Sequence, residues 1–269
     1  MRLFHRLWLG EEGEPVVVYL HGIEGHGQWF EQTAIRLNHL GMTIYALDRR
    51  GAGRNAEDRG HIKSYRQLLA DLTALIGQIG LRHRQSPIFL LGNCWGAKMA
   101  TVLAAAEPGA RLAGLVLTSP ALAVKVDLDL ASKLKIAWCW LTGSRRRFPI
   151  PLSPEMFTDN EPYLEFIRQD PLRLTEATAS FYVESLKLTR LAGDAAARLR
   201  LPVLILQAGQ DRIVDLDGVR KWFGRVASSD KTLEIFPWAA HSLDFDARAG
   251  EYAAVLSAWL SARKARVAA

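Results

Sequence analysis

Cysteine is nearly absent from this 269-residue chain: there are two, Cys94 and Cys139, and neither has a CxxC partner. Usage this sparse offers no disulfide framework and no thiolate metal site. Long apolar runs are missing too, since no stretch approaches the roughly 18 residues that a membrane span needs. The opening MRLFHRLWLGEEGEP reaches acidic and turn-forming residues before an apolar secretory segment develops, so a cytoplasmic protein without a transmembrane segment is expected. A dinucleotide fingerprint is lacking as well. GAGRN at 51–55 is an incomplete GxGxxG with no second half, and no cofactor or bound metal is expected.

Charge of one sign is in excess without being patterned. The net charge of +6 comes from scattered basic residues with no accompanying nucleic-acid motif, so nucleic acid is not expected as a partner. The one dense cluster, Arg145, Arg146 and Arg147, reads first as a solvated face. The alternative is an anionic-substrate or weak membrane-surface contact.

What the chain has in quantity is apolar sequence, 49% of its residues. It falls into short runs rich in β-branched residues: VVVYL at 16–20, MTIYAL at 42–47, PIFLLG at 87–92, LAGLVLTS at 112–119, PVLILQAG at 202–209 and KTLEIF at 231–236. Continuously apolar strands are buried on both faces, as in a parallel sheet. QWFEQTAIRLNHL, SYRQLLADLTALIGQI, KMATVLAAA and the closing AGEYAAVLSAWLSARKARV carry helical spacing between and after them. The alternation predicts an α/β fold with a mostly parallel, doubly wound sheet, and RLFHRLWL adds an antiparallel edge strand.

One segment breaks the rhythm. Between 121 and 195 no strand-like run occurs, while ASKLKIAWCWLT, EPYLEFIRQ and TEATASFYVESLKL have helical spacing around the proline-rich RFPIPLSPEMF. The reading is a core of residues 1–120 and 196–269 with a helical insertion over 121–195. Ligands of open parallel sheets bind beyond the carboxyl ends of the strands, so an insertion leaving that edge is expected to act as a lid.

The chemistry concentrates at GNCWG. A residue on a sharp strand-to-helix turn needs tiny neighbours two positions away, and Gly92 and Gly96 supply them around Cys94. The helix start favours an anion there. Asp211 follows the strand PVLILQAG and His241 follows KTLEIF, which puts all three on one sheet edge in the order nucleophile, acid, histidine. Asp215 is the weaker alternative acid. Two backbone N–H donors are then required to hold a developing oxyanion: Trp95, next after the cysteine, and Ile23, in the loop YLHGIEGHG after the first parallel strand. His21 and Asp48 read as loop-holding residues, His26 as a solvated loop residue or one that reaches the pocket mouth, and Cys139 as a structural residue of an apolar helix.

These motifs resemble those of the α/β-hydrolase superfamily, and within it the monoacylglycerol lipase and lysophospholipase branch. The likeness runs through HGIEGHG, DRRGAGRN, GNCWG, MFTDNEPYLEFIRQDPL, LPVLILQAGQDRIVD and AAHS. It implies Cys94 as nucleophile, Asp211 as acid, His241 as base, and Ile23 and Trp95 as oxyanion-hole residues. Two departures stand out: the branch has serine at the elbow, and its first loop reads HGxGE where this chain has HGIEG.

Sulfur alters the chemistry. An ordinary thiol titrates near pH ~8.5, close enough to histidine for a thiolate–imidazolium pair. Thiolate is also a good leaving group, so an oxygen ester reverts to substrate unless His241 protonates the departing oxygen. The expected activity is therefore an acyl hydrolase for esters, thioesters or lactones with an apolar acyl group, carrier-linked thioesters included. An acyltransferase or cyclising enzyme with the same intermediate is the first alternative, and a non-catalytic ligand-binding protein the second. Trp138, Phe157 and Phe181 are the tentative substrate-binding residues of the insertion.

Overall fold

The computed structural model describes residues 3–106 and 112–264. Nine strands and eight α-helices follow one another among them. In chain order they are β1 (His5–Trp8), β2 (Val16–Leu20), α1 (Glu31–Asn38), β3 (Thr43–Leu47), α2 (Tyr65–Arg82), β4 (Ile88–Asn93), α3 (Gly96–Ala106), β5 (Leu112–Thr118), α4 (Leu130–Leu141), β6 (Arg147–Pro149), α5 (Glu161–Gln169), β7 (Glu176–Thr178), α6 (Ala179–Ala195), β8 (Val203–Ala208), α7 (Leu216–Gly224), β9 (Lys231–Phe236) and α8 (Ala249–Ser261). The end of the predicted closing helix, from 265 onward, lies outside the described residues.

The main sheet runs β1-β3-β2-β4-β5-β8-β9, with β1 antiparallel to β3 and every other pairing parallel. Period-two alternation divides each central strand between two cores. Val16, Val18, Leu90, Leu115, Leu117, Val203 and Ile205 enter one, with residues of α2, α3, α6 and α7. Val17, Tyr19, Phe89, Leu91, Val116, Leu204 and Leu206 enter the other, with residues of α1 and α8. Burial on both faces is why these strands read as unbroken apolar runs. The edge strand β9 is only half covered, and its exposed residues, Thr232 and Glu234, alternate with better covered ones.

The segment between β5 and β8 is mainly helical but departs from expectation at TEAT. Glu176–Thr178 pairs antiparallel with Arg147–Pro149 as a two-stranded ribbon, and α6 starts only at Ala179, capped by Thr178 Oγ1 accepting from the Phe181 amide at 3.4 Å. Three-residue strands are too short for a period to show in the sequence. The segment is tied to the core at several points. The Leu174 amide donates to Glu24 O at 2.9 Å, the Ser242 amide to Phe157 O at 2.8 Å, and α6 packs along α3.

Candidate active site

Three parallel strands deliver the chemistry to one edge. Cys94 follows β4 directly, and it is one of few non-glycine residues with a left-handed backbone, φ +50°. Its glycine neighbours are required by contact: a Cβ on Gly92 would lie 2.6 Å from Ala97 Cα, and one on Gly96 2.3 Å from Leu20 O. The turn is fixed by the Cys94 amide donating to Thr118 O at 2.9 Å and by the Ala97 and Ala121 amides donating to Cys94 O at 3.2 and 3.0 Å. Such strain persists where surrounding structure over-determines it.

Asp211 and His241 meet behind this turn. Nδ1 of His241 lies 2.8 Å from Asp211 Oδ2 and 3.0 Å from Oδ1, and both side chains are buried. Asp211 is oriented further by the amides of Ile213 and Val214, each 2.8 Å from Oδ1, and by Gln207 Nε2, 3.1 Å from Oδ2. Burial works to raise this carboxyl, but the charge and hydrogen bond of His241 and the amides of Val214 and Ile213 hold it below its ordinary value. Burial likewise pushes the imidazole down, yet the charges of Asp211 and of an ionised Cys94 outweigh it and lift His241 to about 10. Nε2, the nitrogen not facing Asp211, has no aligned hydrogen-bond partner among the described residues. Cys94 nevertheless lies close enough to act on the imidazole both by charge and as a hydrogen-bonding neighbour. Asp215, the alternative acid, is elsewhere: it caps α7, accepting from the Asp217 and Gly218 amides at 3.2 Å each.

The loop after β2 presses against the elbow. A Cβ at Gly22 would sit 3.2 Å from Cys94 Cβ. Next to it, the amides of Ile23 and Trp95 donate to no acceptor in the loops and turns of the described residues, which leaves both available as a donor pair. His21 accepts from the Arg49 amide through Nε2 at 3.1 Å and lies 2.7 Å from Gly22 O through Nδ1, so Nδ1 carries the proton. Burial, then the Arg49 charge, keep that ring neutral, well below its ordinary value. Asp48 receives the Gly27 and Arg54 amides at 2.7 and 2.8 Å, a loop-holding role as expected. His26 differs from expectation. It is fully buried, with Nε2 2.9 Å from Asp170 Oδ2, which also accepts from Trp29 Nε1 at 2.8 Å.

An apolar cavity of about 230 Å³ opens at the thiol, lined by Cys94, Ile23 and Trp95 from the core and by Ile150, Leu152 and Tyr182 among others from the β5–β8 segment. Of the three tentative substrate residues, none is in this lining. Trp138 is 69% exposed on the outer face of α4. Phe157 is buried, its ring 5.7 Å from that of His241. Phe181 is buried in a stack on Trp95, centroids 5.5 Å apart, with the Arg49 guanidinium 5.2 Å from its ring. Aromaticity pointed to the right segment but could not say which residue faces in; Tyr182, next to Phe181, is the one that does. Cys139 is buried against Ile136, Phe148 and Ala179, as expected for a structural residue.

Four positions escaped the sequence reading. Ser119, at φ +39°, donates to the His241 carbonyl at 2.7 Å and anchors the histidine loop. Arg49 Nη2 donates to Ile23 O at 2.5 Å, steadying the loop against the elbow. Gln207 is a fully buried polar residue inside the apolar strand VLILQA, a signal that was available. Lys98, a lysine in the otherwise small and apolar α3, was the other visible anomaly.

A mostly parallel sheet, a strained turn after its central strand, and an Asp–His pair beyond the last two strands together define an α/β-hydrolase fold. The comparisons with known proteins agree. The family model described as serine aminopeptidase, S33 (Hydrolase_4) matches residues 11–248, and the chain belongs to this family. It is similar to phospholipase YtpA of Bacillus subtilis, 29% identical over 238 residues that cover 88% of this chain and 91% of that protein. It is similar also to the monoacylglycerol lipase of Mycolicibacterium smegmatis, 26% identical over 247 residues, 90% of this chain and 87% of the relative. Among solved structures, the monoacylglycerol lipase of Paleococcus ferrophilus superposes with a TM-score of 0.85 at 25% identity, covering 98% of this chain and all of that one. The family description names a serine; the elbow of this chain holds Cys94.

Proposed function

We propose that this protein is an acyl hydrolase for lipid-like esters or thioesters and works through an acyl-enzyme on Cys94. The observation that carries the reading is the strained Cys94 at the mouth of an apolar cavity, beside an imidazole held by Asp211. The names of the relatives, phospholipase and monoacylglycerol lipase, support an apolar acyl group. In the first step His241 Nε2 takes the proton of the Cys94 thiol and Sγ attacks the acyl carbon, whose oxygen turns toward the Ile23 and Trp95 amides. His241 then gives that proton to the departing oxygen or sulfur, leaving a thioester. Water, deprotonated by His241, attacks this thioester and releases the acid, and the proton returns to Cys94. The lid role of residues 121–195 belongs to the same proposal, as does contact of the apolar outer face of α4, where Leu130, Leu134, Trp138 and Leu141 are exposed, with a lipid surface.

Leaving-group chemistry gives the test. Cys94→Ala and His241→Ala are each expected to lower kcat by about 10³-fold or more on acyl thioesters and aryl esters. Wild type is expected to prefer thioesters and aryl esters over alkyl esters, and Cys94→Ser to narrow that preference. Turnover by Cys94→Ala at the wild-type rate would end the reading. Added amines separate hydrolysis from acyl transfer, since a transferase diverts the acyl group to the amine.

A further inference from the structure

The cavity contains one group that acyl chemistry at Cys94 leaves unused. Lys98 sits in the first turn of α3, four residues after the elbow cysteine, and its side chain reaches the wall of the same cavity that Cys94 lines. The lysine is only 7% exposed, and it lines the cavity together with Cys94, Trp95, Ser185 and Thr189. Its ammonium makes no hydrogen bond or ion pair among the described residues. Asp127, the one acid in the lining, is turned to solvent and held by Lys133 at 2.5 Å. Burial lowers the Lys98 amine to about 8, with an ionised Cys94 opposing the shift, so at neutral pH it remains mostly charged. A buried, charged, unpaired amine is costly unless something brings it a counter-charge.

We propose that Lys98 makes the cavity a receptor for amphiphiles with one negative end, a carboxylate or a phosphate, which pairs with the ammonium while the apolar chain lies against Ile150, Leu152 and Ile213. This rests on the reading of the cavity as the acyl site. Ser185 adds a second donor: its Oγ already accepts from the Trp95 indole at 2.8 Å, leaving its own O–H free to point at an anion. A neutral glyceride leaves Lys98 unpaired, so the site should discriminate against it in favour of an anionic acyl compound.

Binding tests this without turnover. In Cys94→Ala protein, calorimetry would compare decanoate and decyl phosphate with decanamide and 1-decanol. The anions are expected to bind at one site at least 10-fold more tightly, with the stronger of the two identifying carboxylate or phosphate as the natural head. Adding Lys98→Met should abolish the advantage, and Lys98→Arg should retain it; Lys98→Gln serves as a second neutral variant should the methionine protein fold poorly. Equal binding of charged and neutral ligands, or an advantage that survives loss of the amine, overturns the proposal. So does a Lys98→Met variant of otherwise wild-type protein that shifts the pH dependence of Cys94 alkylation by iodoacetamide without altering ligand preference, because the ammonium then serves the thiolate. Since Cys94→Ala forms no acyl-enzyme, a failure here is distinct from a failure of the hydrolase reading.

Discussion

At the scale of single residues, the elbow is held by glycines that have no freedom to change. Gly96→Ala would drive a methyl group into the Leu20 carbonyl, a backbone atom that cannot step aside. A loss of about 1–3 kcal/mol in chemical denaturation is expected, the range of overpacking; an unchanged midpoint would contradict the contact. The titrating pair gives a second outcome. His241 is raised, so its contribution to stability is complete below its ordinary value of 6.5, falls as pH rises, and is gone above about 10. Asp211 is depressed, so its contribution is present above its ordinary 3.8 and is lost as pH falls below it. Asp211→Asn removes the charge that raises the imidazole. The alkaline limb of kcat/KM is expected to move down in pH, with kcat reduced by about 10³-fold or more. A lowered rate with an unmoved limb would mean that Asp211 only braces the fold. GxCxG, Asp211 and His241 were readable because steric demand and strand ends fix them in sequence. Ser119 and Arg49 were not, because each acts on a backbone carbonyl far away in the chain.

At the scale of elements, periodicity carried the central strands because both of their faces are buried, and KTLEIF was legible to its ends. Periodicity failed at TEAT, where a three-residue strand meets its partner far along the chain, Phe148 pairing with Ala177 29 positions on. It also could not tell the inner face of a helix from its outer one. Trp138 shows the consequence: with Leu134 and Leu141 it leaves α4 with an apolar side toward solvent, 63–73% exposed. If that side meets lipid, Leu134→Ser with Trp138→Ser should slow turnover of substrate embedded in phospholipid vesicles several-fold while sparing a short, water-soluble aryl ester. Equal effects on both substrates would assign these residues to folding. The buried His26–Asp170 pair ties the segment to the loop after β2. That pairing joins residues 144 positions apart, which no local pattern announces.

For the whole molecule, topology follows from strand order and from parallel pairing, and it alone brings positions 94, 211 and 241 to one edge. The cavity was beyond such reasoning. Its lining extends from Ile23 to Ile213, and a lysine on its wall is visible only when α3 and α6 are packed together. Net charge, by contrast, was uninformative about function; Arg145 is taken up in an exposed pair with Asp58, at 2.6 Å. What unites the scales is a sulfur on a strained turn in front of a buried imidazole, the pair proposed to carry the reaction. Its most direct measurement is intact-protein mass spectrometry, followed by peptide mapping, within seconds of mixing with a decanoyl thioester. One decanoyl group on Cys94, absent from Cys94→Ala and greatly slowed in His241→Ala, is the expected result. Rapid turnover with no acyl group ever found on Cys94, or an acyl group mapped to another residue, would contradict it.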